Sequence, residues 1–169
     1  NNPHSNLKMK VKYLIYILGL FLVSCTGTKK MTKKAVSFEQ QGMYTEAANY
    51  YLNALSRKNT NVEAAMGLKR TGQLVMDDYL ANFFKSHTSM QYKTAVYAYK
   101  KAEDWYEKAY LYKVSLDIPN YYVDYYNSDL SMYLDELYEQ ATSYLDKEQF
   151  DLGIEKLNEI CYLLKMQHP

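Results

Sequence analysis

The chain has 169 residues, of which 23% are charged, and a formal net charge of +1. It holds 20 tyrosines but only 6 glycines and 3 prolines. Few Gly and Pro, with long polar-apolar periodicity, argue against a loop-rich sheet protein and for an all-α chain large enough for one real core.

The first methionine is Met9, and residues 1–8 are expected to be upstream of the translation start or a fragment end. From Met9 the pattern is that of a signal peptide. Lys10 and Lys12 form a positive region, and residues 13–23 form an apolar run that includes Leu14, Ile15, Ile17, Leu18, Leu20, Phe21 and Leu22. The run is short for a membrane span, which needs roughly 20 apolar residues. Leu22, Val23, Ser24 and Cys25 then close it.

These four residues resemble the lipobox of bacterial lipoproteins, which has Leu, a small or apolar residue, a small residue, then Cys. The resemblance implies that Cys25 is cleaved free, diacylated (palmitate being the common acyl group) and left as the mature N-terminus. Two acyl chains anchor a protein stably where one is marginal. Thr26 stands where an Asp would favour retention in the inner membrane. The resemblance therefore implies the outer membrane, on its periplasmic face.

Charge is unevenly spread. Lys29, Lys30, Lys33 and Lys34 follow the anchor, and the rest of the mature chain has 13 basic and 19 acidic residues, a net charge of −6. Residues 25–32 are read as the lipidated Cys and a basic linker, and 33–169 as the body. An acidic body argues against nucleic acid as a partner. With Cys25 acylated, Cys161 is a lone thiol, and its place among Leu157, Ile160 and Leu164 reads as buried.

The body reads as helices in chain order. Residues 33–41 form a short helix with Ala35, Val36 and Phe38 apolar, ended at Gln41-Gly42. A second helix spans 44–56. Asn59-Thr60-Asn61 breaks it, with Thr60 or Asn61 an N-cap for a third helix over 62–85. A fourth runs from about 90 to 116, with Pro119 as the stop. A fifth runs from Tyr121 to Asp146, and a last from Phe150 to about Met166.

Gly42, Tyr44, Ala47, Tyr51 and Ala54, preceded by Ala35 and Phe38, resemble the tetratricopeptide repeat. Small residues let two helices approach and aromatics fill the gaps beside them. Tyr92, Ala95, Tyr99 and Ala102 repeat the spacing; so do Phe150, Gly153 and Leu157, with Ala141 and Tyr144 before them. The recurrences are offset by 48 and 58 residues, against about 34 in the family. The resemblance implies a tetratricopeptide-like α-solenoid of about three stacked antiparallel hairpins. In such proteins the first helix of each hairpin lines the binding groove, here the third and fifth helices. The resemblance further implies protein–protein binding in envelope assembly.

No catalytic constellation stands out, and the chain is expected to be no enzyme and to need no metal or cofactor. The three His (His4, His87, His168) fall upstream, in a turn and at the end. The adjacent acids Asp77-Asp78 and Glu103-Asp104 point about 100° apart on a helix and do not converge. Tyr121, Tyr122, Tyr125 and Tyr126 form two pairs at helical spacing, and both pairs cannot be core. They read either as hairpin packing or as an exposed binding surface, where tyrosine is favoured. A glycan is the second partner class this cluster suggests, beside the membrane and an envelope protein. Trp105 is open to the same two readings.

Overall fold

The computed structural model describes residues 27–166. The apolar run, Cys25, His4 and His168 lie outside the described residues. Among those described, the protein is all-α, with six helices and no strand. They are α1 (27–40), α2 (Tyr44–Arg57), α3 (Val62–Thr88), α4 (Tyr92–Tyr110), α5 (Tyr121–Asp146) and α6 (Phe150–Met166). No helix among them is long and apolar enough to cross a membrane. The chain divides into two compact units. The first takes residues up to Met76 with Trp105–Asp117, and the second takes Asp77–Asp104 with the chain from Ile118 onward. Helices α3 and α4 thus each contribute residues to both.

In the first unit, α1 buries Thr28, Thr32 and Ala35 and turns its lysines outward. It is already helical at residue 27, the first described residue, so residues 27–32 of the expected linker are helical. The three buried positions lie on one stripe of the helix. Gly42 ends α1 at φ 75°, and the Met43 N–H reaches back to the Phe38 carbonyl at 3.0 Å. Helix α2 returns along α1 as an antiparallel hairpin. Phe38 stacks on Tyr50 at 5.3 Å, and Ala47, Ala48, Tyr51, Ala54 and Leu55 are buried. Asn61 caps α3, accepting the Ala64 N–H at 3.2 Å and donating to Thr32 Oγ1 at 3.0 Å. A side chain on Gly67 would collide with the Tyr51 ring.

Helix α4 ends at Tyr110, earlier than the expected stop near 116. Lys113 takes φ 61°, and the Val114 N–H bonds the Ala109 carbonyl at 3.2 Å. The chain then runs extended so that Val114 and Leu116 enter the core of the first unit. Gln73 holds this segment with two bonds to the Asp117 backbone, at 2.8 and 3.1 Å. Burial of two apolar side chains from an extended segment outweighs further helix. Trp105 is buried, and its indole donates to the Gly72 carbonyl at 2.9 Å. Its ambiguity resolves to packing.

The second unit buries Leu80 and Phe83 of α3, Ala95, Val96, Tyr99 and Ala102 of α4, and Tyr126, Leu130, Tyr133, Leu137 and Ala141 of α5. Helix α3 runs on to Thr88, which puts His87 in its last turn and not in a loop. Helices α5 and α6 form an antiparallel hairpin in which a side chain on Gly153 would begin 2.8 Å from Leu145 Cδ2. Cys161 is exposed, against the expectation of burial. Helix α6 carries apolar residues on more than one side, and it turns Gly153 and Leu163 inward while Leu157, Cys161 and Leu164 face out.

Four helices close with the same device, a left-handed residue followed by an N–H reaching five residues back. Gly serves after α1, but Met90, Lys113 and Glu148 serve after α3, α4 and α5, with φ of 54°, 61° and 58°. A side-chain-bearing residue there is strained by roughly 1–2 kcal/mol. Glu148→Gly should therefore raise stability in urea unfolding by about 0.5–1 kcal/mol, since glycine's own entropy cost offsets part of the relief. Gly67→Ala should cost about 1–3 kcal/mol in the same measurement, by overpacking against Tyr51.

Candidate functional site

The second unit gathers an aromatic cluster where α5 begins. Its four tyrosines part company there. Tyr121 is half exposed, Tyr122 and Tyr125 are partly covered, and Tyr126 is buried. Tyr121 meets Tyr125 at 5.8 Å and Tyr122 at 4.6 Å between ring centres. Tyr122 packs on Phe83 at 5.8 Å and Phe84 at 6.5 Å. Tyr126 stacks on Tyr99 at 4.4 Å. Burial pushes the Tyr126 hydroxyl up to about 12, helped by the charge of Glu103 and by Tyr99. Only Tyr121 keeps a largely open face, because the outer face of Tyr125 stacks on His87 at 4.5 Å and 19°.

His87 leads to a pair that sequence reasoning missed. Its Nδ1 lies 2.9 and 3.0 Å from the two carboxylate oxygens of Asp129, a residue only 1% exposed. A buried carboxylate needs such a partner. The signal was present: Asp129 sits in the apolar stripe of α5 between Tyr126 and Tyr133, where a charge is out of place.

Two more carboxylates act as junctions. In the second unit Glu159 Oε1 accepts from Tyr97 at 3.0 Å and from Tyr133, with Lys93 Nζ at 3.5 Å. Burial pushes the Glu159 carboxyl up, but the hydrogen bonds from Tyr133 and Tyr97 and the lysine charge outweigh it and hold it below its ordinary range. Burial and the bond to Glu159 push the Tyr97 hydroxyl up to about 12 and raise Tyr133 further. In the first unit Glu39 accepts from Tyr51 at 2.6 Å and from Arg70 Nε and Nη2 at 3.0 and 3.2 Å. Burial again acts upward on Glu39, and the Arg70 and Tyr51 bonds bring it down. Each of these sites ties helices together. Among the described residues no group of His, Cys, Asp and Glu is placed to hold a metal.

The repeat-spaced residues divide by burial. Ala35, Ala47, Tyr51, Ala54, Ala95, Tyr99, Ala102, Ala141 and Gly153 are buried, while Phe38, Tyr92 and Tyr144 are half-buried. Tyr44, Phe150 and Leu157 are exposed and do not fill gaps between helices. The first unit also carries an open groove of about 510 Å³ along Val62, Ala65, Met66 and Val114, edged by Lys69 and Lys113.

One surface was not anticipated. Phe150, Ile154, Leu157, Cys161 and Leu164 of α6 are all exposed. They alternate at four- and three-residue steps, the seam spacing of a helix that packs along another. Compared with protein-family models, with curated proteins and with solved structures, the chain finds no match.

Glu159 yields a prediction with two limbs. Its lowered carboxyl contributes stability that is present above the ordinary carboxyl range and lost as pH falls through it. The raised Tyr97 hydroxyl contributes stability present below about pH 10 and lost towards about 12. Glu159→Gln should cost about 1–3 kcal/mol at neutral pH and flatten both limbs in urea unfolding across pH. Tyr97→Phe should flatten the alkaline limb more than the acid one.

Proposed function

We propose that the protein is a lipid-anchored bacterial envelope lipoprotein, held by acylated Cys25 in the outer membrane on the periplasmic side, whose helical body binds a partner protein. The single observation that carries the binding role is the apolar seam of α6, open over five positions from Phe150 to Leu164. Isolated apolar residues are ordinary on a surface, but a regular seam over four turns is the shape an amphipathic partner helix occupies. The antiparallel hairpins α1–α2 and α5–α6, with small residues buried between them, support a tetratricopeptide-like scaffold. The Leu22-Val23-Ser24-Cys25 pattern behind an apolar run supports the anchor.

The seam moves the contact surface from the third and fifth helices to α6. Its members are exposed, so polar replacements there should leave the fold intact. Ile154→Lys with Leu157→Lys should keep the unfolding midpoint of the parent protein and lose the partner captured by crosslinking in intact cells. Retention of that partner by the double variant would remove the seam from the reading. Cys25→Ala should abolish labelling by radioactive fatty acid and release the body from membranes. Continued labelling would end the lipoprotein reading.

A second reading, binding of a glycan, has one observation in its favour. The half-exposed Tyr121 ring is braced by Tyr122 and Tyr125, as a flat platform for a sugar face would be. Calorimetric binding of envelope oligosaccharides that disappears in Tyr121→Ala would favour it over the seam.

A further inference from the structure

Helix α1 has a charged face that packing leaves exposed. Lys29, Lys30, Lys33 and Lys34 are all exposed, opposite buried Thr28, Thr32 and Ala35. At about 100° per residue they fall within one arc, with Ser37 near its middle. Two more cations extend the patch. Arg57 ends α2, its Nη1 lying 2.9 Å from where a side chain on Gly27 would begin, and Lys58 follows it. Lys34 is itself braced, its Nζ 4.7 Å from the centre of the Tyr50 ring.

The charge is not answered from within. None of these six cations enters an ion pair among the described residues. Between residues 26 and 61 stand six basic and two acidic residues, and one of the two acids, Glu39, is taken by Arg70. From 62 to the end the count is 11 basic and 17 acidic, a net charge of −6. An anionic sheet would attract the first segment and repel the second.

We infer that the lysine face of α1, with Arg57 and Lys58, is the surface this protein lays on an anionic lipid bilayer. The occupant follows from position: residue 27, already helical, is two residues from Cys25 in the sequence, so an acylated Cys25 keeps these turns within the reach of negative headgroups. The reading rests on the lipid anchor. In place of the expected basic linker, a helix fixes which side of the first unit meets the lipid. Each basic residue near such a surface strengthens the contact roughly five-fold. Four on one helix face give orientation as well as affinity.

The test uses the full chain, purified from its own membranes and reconstituted into vesicles of phosphatidylcholine alone or with phosphatidylglycerol. A reporter thiol is placed by Ser37→Cys in a Cys161→Ser background, and its reaction with a water-soluble maleimide is timed. The protein with its native, exposed Cys161 serves as the control. Reaction at position 37 should slow about five-fold or more in anionic vesicles and recover in about 1 M salt, where charge is screened within roughly 3 Å. Reaction at Cys161 should not change. Lys30→Glu with Lys34→Glu should remove the protection. Equal rates at position 37 in the two vesicle types would overturn the inference. Failure of the protein to float with neutral vesicles would instead count against the anchor, so the two failures are told apart.

Discussion

A tyrosine hydroxyl taken out of water needs a hydrogen-bond acceptor, and in a chain with 20 tyrosines that requirement marks both units. For Tyr51 in the first unit, and for Tyr97 and Tyr133 in the second, one carboxylate meets it. Glu39 of α1 takes the hydroxyl of Tyr51 on α2 and the guanidinium of Arg70 on α3. Glu159 of α6 takes the hydroxyls of Tyr97 on α4 and Tyr133 on α5. Each acid thus ties three helices through bonds to a charged acceptor, about twice as strong as neutral ones. Asp129 with His87 extends the same logic to the aromatic cluster. No buried side-chain polar atom among the described residues is left without a partner.

Around these junctions, space is made by small residues. Ala35, Ala47 and Ala54 let α1 and α2 approach, and Gly67 admits the Tyr51 ring whose hydroxyl Glu39 receives. The two effects are coupled, because a larger residue at Gly67 would push the ring away from its acceptor. The helix ends are less tuned. Three of four left-handed turn residues carry side chains and hold a strain that the helices on either side sustain.

The surfaces left over differ in kind. One end of the chain has a helix whose outward face is cationic, and the other has a helix whose outward face is apolar and regularly spaced. A cationic face suits a sheet of negative headgroups, and an apolar seam suits another helix. The polar junctions hold the helices that carry these faces, Glu39 on α1 and Glu159 on α6.

Much of the secondary structure was legible from periodicity. The starts of α3, α5 and α6 at Val62, Tyr121 and Phe150, the left-handed turn at Gly42 and the cap at Asn61 are local matters of phase, caps and turn chemistry, and they stand where those rules put them. What lay beyond the sequence depends on contacts between distant residues. The early end of α4 follows from a place for Val114 and Leu116 in the first unit's core, which no local rule contains. Glycine was readable as a left-handed turn, whereas Met90, Lys113 and Glu148 carry no such mark. The partner of Asp129 is 42 residues away, and that of Tyr97 is 62 away. The exposure of Cys161 turned on which of the apolar sides of α6 was covered. Periodicity reports that a face is apolar, but only the neighbouring helices decide which apolar face they hide.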